Sequence, residues 1–481
     1  MARLSPILSL LVLPAGCDTE VRLYDSGSPA GAAVPAEAWV DSGEPLDTRP
    51  SSVDGGDQGP AVALAANLLG REGDHLGYRF SLTTADLDGD GLAELVTGGM
   101  YLGESYQGGL YVVPPSVTDG DHAISGQAST SLLGEDWGFV GGGHAELGDL
   151  DGDGAGELLA FGSPSSAWGG VATNVAIFLD APSMPDQLAL QQSDVRIVGT
   201  GGDGYATGHA SLDLHGDGFD DLVYGDWLAE LSTVSVFSGA DLVMGPGVRS
   251  LSEADYTLEA DPWGAQLGRS LSGGDVDGDG IDELAVTAFD GTSALLYLVE
   301  GSGEPSADSV RFVVESHSAD GTDLQILLAD LDDDERVDLA VGAPDAARVG
   351  VFSDAATLGG RVRLADADHV VDHDVGTWFG TALVAVDHDG DGLKELVVGA
   401  PGGSQVRVAP STEGAVWWFD ALAPGWQAAS AQGVQVGDAA PDLRGHALVT
   451  WDGDSDGRAE LFSAAPLADG GAGAVQRWRL E

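Results

Sequence analysis

The sequence predicts an all-β chain, a seven-bladed β-propeller of four-stranded blades, and three observations carry that prediction. A ten-residue acidic stretch recurs seven times, its first aspartates 63, 64, 62, 55, 57 and 65 residues apart. Self-similarity at such a period marks a repeat architecture. Each copy sits among short segments of alternating apolar residues, the pattern of half-buried strands. The chain also holds 73 glycines and 21 prolines in 481 residues, without a long low-complexity run, as many tight turns require. Four-stranded units repeated around an axis make a propeller.

The chain divides into three parts. Residues 1–17, MARLSPILSLLVLPAGC, have one basic residue (Arg3), an apolar run from Ile7 to Leu13 and then small residues. This reads as a secretory signal, too short to span a bilayer as a helix. LPAGC resembles the lipobox of bacterial lipoproteins, which implies that Cys17, the only cysteine, becomes the lipidated first residue of the mature chain. Pro14 stands where that motif usually has leucine, which here falls one place earlier at Leu13. The alternative is an ordinary secretory signal cleaved nearby. Residues 18–60 are rich in Gly, Ser, Pro, Ala and Asp without apolar periodicity and read as a flexible tether. The repeat region runs from 61 to 481.

Its acidic stretches are DLDGDGLAEL (from Asp86), DLDGDGAGEL (Asp149), DLHGDGFDDL (Asp213), DVDGDGIDEL (Asp275), DLDDDERVDL (Asp330), DHDGDGLKEL (Asp387) and DGDSDGRAEL (Asp452). A glycine- and aromatic-rich approach precedes them, as in HLGYRFSL and TWFGTALVAV. A short apolar run follows, as in ELVTGG and ELVVGAP, then an alternating segment such as GLYVV or AVWWF, then a fourth strand-like stretch such as TSLLG or YTLEA. The approach, the acidic loop and the GAP-like segment together resemble FG-GAP repeats, which build the seven-bladed propeller of integrin alpha chains. The GAP element is literal at Gly342-Ala343-Pro344 and Gly399-Ala400-Pro401, and the FG pair at Phe379-Gly380. The last unit stops at its third strand, AVQRWRLE, and AVALAANLLG before the first approach resembles a missing fourth. The N-terminal strand is therefore expected to complete the seventh blade and close the ring.

Calcium is a hard cation that takes six to eight oxygen ligands. Acids at loop positions 1, 3, 5 and 9 converge on one point if a glycine at position 6 lets the chain curl, with the carbonyl of position 7 as a further donor. The expected ligands are Asp86, Asp88, Asp90 and Glu94 with Leu92; Asp149, Asp151, Asp153 and Glu157 with Ala155; Asp213, Asp217 and Asp221 with Phe219; and Asp275, Asp277, Asp279 and Glu283 with Ile281. They continue with Asp330, Asp332, Asp334 and Asp338 with Arg336; Asp387, Asp389, Asp391 and Glu395 with Leu393; and Asp452, Asp454, Asp456 and Glu460 with Arg458. A calcium-binding helix–loop–helix would need an acid at position 12, where the chain has Thr97, Ala160, Tyr224, Val286, Val341, Val398 and Ser463. Carboxylates held this close repel one another unless a cation or protonation relieves them. Two loops depart from the pattern. His215 replaces the third acid of the third loop, expected to be the weakest, and Glu335 stands in place of the turn glycine in the fifth, which is expected to be distorted. Five to seven Ca2+ ions follow.

A net charge of −59, from 78 acidic and 19 basic residues, argues against nucleic acid and anionic membrane surfaces as partners. GxSxG, HExxH and GxxxxGK[ST] signatures are missing, so no enzyme is expected. DADHVVDHDVGTW places His369 and His373 among Asp366, Asp368, Asp372 and Asp374, a transition-metal pattern for which an exposed acidic loop is the simpler reading. By the integrin resemblance, the calcium loops share one face and a partner meets the other. That other face would carry Tyr101, Tyr106, Trp168 and Trp227 as candidate ligand contacts, balanced against packing between blades; for Trp137, Trp263 and Trp378, packing is the preferred reading. The function expected is non-catalytic binding of a protein or glycan at the cell envelope or surface, after lipid anchoring or secretion. The alternatives are an extracellular hydrolase or lyase acting on polymers, marked by convergent acids or histidines on that face, and a structural envelope component, marked by a featureless one.

Overall fold

The computed structural model describes residues 62–77, 81–99, 101–102, 107–134, 148–161, 175–179, 185–198, 208–226, 232–259, 266–301, 309–316, 324–373, 376–387, 392–402, 414–419, 431–436, 442–452 and 458–480. These form seven sheets of antiparallel blade strands. The first blade runs through Leu82–Ala85, Glu94–Gly99, Gly109–Val113 and Thr130–Leu133. Of the second, Leu158–Phe161, Val175–Phe178 and Val195–Val198 are described; its inner strand would fall outside the described residues. The third comprises His209–Leu212, Asp221–Asp226, Thr233–Phe237 and Tyr256–Glu259. The fourth has Leu271–Gly274, Glu283–Phe289, Ala294–Val299 and Val310–Ser316. The fifth is Gln325–Ala329, Asp338–Ala343, Arg348–Phe352 and His369–Asp372. The sixth is Ala382–Val386, Glu395–Ala400, Ala415–Phe419 and Ala431–Val436.

The seventh blade joins distant parts of the chain. Leu448–Trp451, Glu460–Ala465 and Ala474–Leu480 supply three strands, and Val62–Leu69 runs antiparallel to the third, pairing Val62 with Leu480 and Leu69 with Ala474. Among the described residues α-helix is confined to Gly239–Met244 and Ala468–Gly471, and no helix is long and apolar enough to cross a membrane.

The second strand of each blade explains why the apolar runs after the acidic loops do not alternate. In the first, third, fifth and sixth blades it is flanked by strands on both edges and covered on both faces by neighbouring blades, so Glu94–Gly99, Asp221–Asp226, Asp338–Ala343 and Glu395–Ala400 are buried throughout. The core is accordingly split into seven apolar slabs, one per blade interface. Between the fourth and fifth blades, for example, Leu296 and Phe312 meet Leu339, Val341 and Phe352.

Four blades gain a strand that the sequence pattern does not announce. In the connection between third and outer strands, Gly120–Ala123, Gln187–Ala189, Gly247–Ser250 and Gly360–Arg363 extend and pair in parallel with the outer strand of the preceding blade. A 3-10 turn follows each, beginning at Ile124, Leu190, Leu251 or Leu364. These straps cover edges that would otherwise expose unpaired backbone groups.

The segment carrying His369 and His373 is not the exposed loop expected. His369–Asp372 form the outer strand of the fifth blade. Its described acids are engaged elsewhere: Asp372 pairs with Arg348, Asp366 with Arg363, and Asp368 accepts the Ser353 N–H, while Asp374 lies outside the described residues. His373 stacks on Phe379, with ring centres 5.4 Å apart, because the ordering forces are apolar packing and strand pairing rather than charge repulsion.

Candidate metal centres

The acidic loops link inner and second strands at one end of the blades, and their backbone is nearly the same in every described copy. The first aspartate ties the turn. Asp86 accepts the N–H of Asp90 at 3.2 Å and of Gly91 at 2.8 Å, and Asp149, Asp213, Asp275 and Asp330 repeat this. The ninth residue reaches back under the loop, where Glu94, Glu157, Asp221, Glu283 and Asp338 each accept the N–H of position 2. Positions 4 and 6 have left-handed backbone, which glycine adopts at no steric cost, as at Gly89 and Gly91.

Carboxylate oxygens converge within 4.8 Å of one another in three loops at positions 1, 3 and 9: Asp86, Asp88 and Glu94; Asp149, Asp151 and Glu157; Asp330, Asp332 and Asp338. In the fourth the groups are Asp275–Asp277–Asp279 and Asp277–Glu283–Glu300. The ninth acid is the buried member, and burial raises its pKa. Glu94 rises to about 7 and Glu157 to about 8, chiefly from desolvation, with the neighbouring aspartates adding to it against the N–H of position 2. Glu283 rises to about 7 and Asp338 to about 6, again first by burial.

The fifth loop keeps the shared geometry despite lacking both glycines. Asp333 and Glu335 take φ of 60° and 64°, and the three carboxylates still gather, so the expected distortion is confined to backbone strain. In the third loop, His215 Nδ1 lies 2.6 Å from Asp221 Oδ2, so the imidazole fills the space that a third acid has elsewhere. Of the sixth loop, Asp387, Leu393 and Glu395 are described, with Gly392 N–H on Asp387; Asp389 and Asp391 lie outside the described residues. Of the seventh, Asp452, Arg458 and Glu460 are described, while Asp454 and Asp456 are not.

These residues fit a hard divalent cation. The donors are all oxygens, and Asp332 Oδ1 is sealed from solvent without a hydrogen-bond partner. The position-7 residues have an additional part that the sequence pattern does not reveal. Cβ atoms built at Gly152 and Gly216 would lie 2.9 Å and 2.8 Å from the side chains of Phe219 and Ile281 in the next blade. The backbone links the same neighbours, since the N–H of position 8 donates to the position-1 carbonyl of the preceding blade from Gly156, Asp220, Asp282 and Ala459. The first, second, third and sixth loops therefore each rest on the next.

The FG-GAP repeat family matches residues 79–113, 267–296 and 379–417. The chain carries three FG-GAP repeats. Integrin alpha-5 of Xenopus laevis is 28% identical over 202 residues, which cover 38% of this chain and 18% of that protein. Among solved structures, the WD40 domain of Toxoplasma gondii coronin matches at TM-score 0.43 and 11% identity, covering 88% of this chain and 87% of that one. An exotype rhamnogalacturonan lyase, YesX, matches at TM-score 0.39 and 13% identity, covering 86% and 75%. Neither structural likeness bears on what this chain binds.

The geometry gives the FG-GAP residues a physical reason. The FG glycine of one blade lies against the GAP glycine of the blade before it. A Cβ on Gly342 would sit 2.2 Å from the Gly380 carbonyl oxygen, and one on Gly399 would sit 2.1 Å from that of Gly445. The FG phenylalanine is the inter-blade plug, since Phe379 is fully buried beside Phe419 and Trp417. In the seventh blade Arg444 takes that place, 2% exposed, with its guanidinium 5.1 Å from the Trp478 ring and an ion pair to Asp442. Trp378, before the FG pair, is half-buried with φ of 59°. At the same end of the blades, Tyr101 meets His75 edge-on at 5.1 Å. Tyr106, Trp137, Trp168, Trp227, Trp263 and Cys17 lie outside the described residues.

Proposed function

We propose that the chain is a calcium-binding FG-GAP propeller, exported to the cell envelope or surface and held there through Cys17, which binds a protein or glycan without catalysing a reaction. The observation that carries the calcium reading is the repeated convergence of carboxylates at positions 1, 3 and 9 around a buried ninth acid. A buried, crowded carboxylate is costly to ionise, and a divalent cation among oxygen donors removes that cost. Calcium supplies charge and a fixed coordination point there, while the chain's own residues shape the loop. Export is supported by the signal-like residues 1–17 and by the likeness to an integrin alpha chain. Partner binding rests on the same likeness and on the candidate aromatic contacts at the end opposite the loops, of which Tyr101 is described.

Because folded-state binding stabilises by mass action, calcium at ten times its dissociation constant contributes ~1.4 kcal/mol per site. The test is a thermal melt with calcium and after chelation, with bound metal counted by elemental analysis. Five or more ions and a large drop in melting temperature on chelation are expected. Fewer than about three ions with an unchanged melt would sink the calcium reading.

A further inference from the structure

The fourth loop differs from the first, second and fifth in which oxygens meet. Asp277 gathers with Asp275 and Asp279 in one group and with Glu283 and Glu300 in another, so positions 1, 3 and 9 do not meet in a single group. Glu300 follows the third strand and lies outside the ten-residue pattern. A cation of the chain itself already occupies this second group. Arg311, on the outer strand, places Nη1 2.7 Å from Asp277 Oδ2 and 3.4 Å from Glu300 Oε1. Its Nη2 donates to the Ala356 carbonyl of the fifth blade at 3.1 Å, which fixes the guanidinium from the far side.

We propose that Arg311 is a resident counter-ion of the fourth loop that competes with calcium for Asp277, making this loop weaker than the first, second and fifth. The inference rests on the calcium reading above. A guanidinium keeps its charge at every accessible pH, so the competition is permanent. It also persists in salt, because a partly buried pair is screened less than an exposed one. Calcium gains the position-3 oxygen only as Arg311 releases it, and two like charges around one carboxylate oppose each other. Among the described residues no arginine or lysine pairs with Asp88, Asp151 or Asp332, and only the charge of His369 reaches Asp332.

Calorimetric titration of the full chain with calcium chloride tests this. Wild type is expected to show a tight class of sites and a weaker one. Arg311→Gln moves one site into the tight class, with at least a tenfold lower Kd for that site, and Arg311→Lys moves it less. Adding Asp275→Asn to Arg311→Gln abolishes the gained site. An isotherm unchanged by Arg311→Gln overturns the proposal. So does the loss of one calcium, which would make Arg311 a positioning residue for Asp277. If Arg311→Gln fails to fold, Glu300→Gln loosens the same guanidinium from an exposed position; it should tighten one site about threefold, and weakening counts against the idea. Absence of any calcium uptake by wild type removes the calcium reading itself, a result separable from both variant outcomes.

Discussion

The first and third acidic loops share a backbone and differ at one decisive position. Both tie the first aspartate to the N–H groups of positions 5 and 6, and both send a buried ninth acid back to position 2. At position 3 the first loop has Asp88 and the third has His215. Glu94 thus meets further negative charge, whereas Asp221 receives an imidazole nitrogen at 2.6 Å and the Gly239 N–H at 3.2 Å. The loop conformation is therefore set by the position-1 carboxylate and the turn residues. The demand for a cation is set by position 3.

Exchanging those residues is the strongest way to break the comparison. His215→Asp should add one calcium and leave metal-free protein less stable by about 3 kcal/mol, since a buried carboxylate loses its partner. Asp88→His should remove one calcium and reduce the loss on chelation. Metal counting and guanidinium unfolding with and without chelator check both, and identical calcium counts across the pair would refute the assignment of position 3.

A pH series sharpens the same contrast. Glu94 and Glu157 rise from 4.5 to about 7 and about 8 on folding, so the folded state holds more protons than the unfolded one across that window. Metal-free stability therefore falls as pH rises from 4.5 to 8, by roughly 3 kcal/mol for Glu94 and roughly 5 kcal/mol for Glu157. Asp221 rises only to about 6, so the third loop's share of the loss is complete near neutrality. With saturating calcium the trend reverses, because the ion requires ionised ligands. Unfolding midpoints between pH 5 and 8 that move the same way with and without calcium would contradict this.

The smallest effect belongs to the fifth loop. Glu335 holds a φ of 64° where the other described loops place glycine. Glu335→Gly is expected to stabilise the protein by about 1 kcal/mol in either metal state. A destabilised variant would show that the glutamate side chain contributes more than its backbone costs.

The blades and loops were legible in the sequence because both are local and repeated. Asp86 and Glu94 lie within one turn of chain, so spacing alone brings them together. The straps were not legible. Gly120–Ala123 and Gly360–Arg363 are short and largely exposed, and their partners are strands of another blade. Arg311 was hidden for a similar reason, being 34 residues from Asp277 and joined to it only by the return of the outer strand. Arg444 was masked by chemistry, since an arginine in the place of Phe379 looks like a surface residue until Trp478 and Asp442 close over it. The fifth loop looked damaged because glycine is the usual answer to left-handed backbone, although Asp333 and Glu335 can be forced to take it.

One strand also decides how the propeller would carry a load. Val62–Leu69 is bonded on one side to Ala474–Leu480 and on the other to Gly120–Ala123. A pull entering from the amino-terminal side runs along this strand and across both ladders, whose hydrogen bonds lie perpendicular or slanted to it. The bonds must then shear together instead of peeling one by one. The strand that completes the seventh blade is thus also its mechanical clamp.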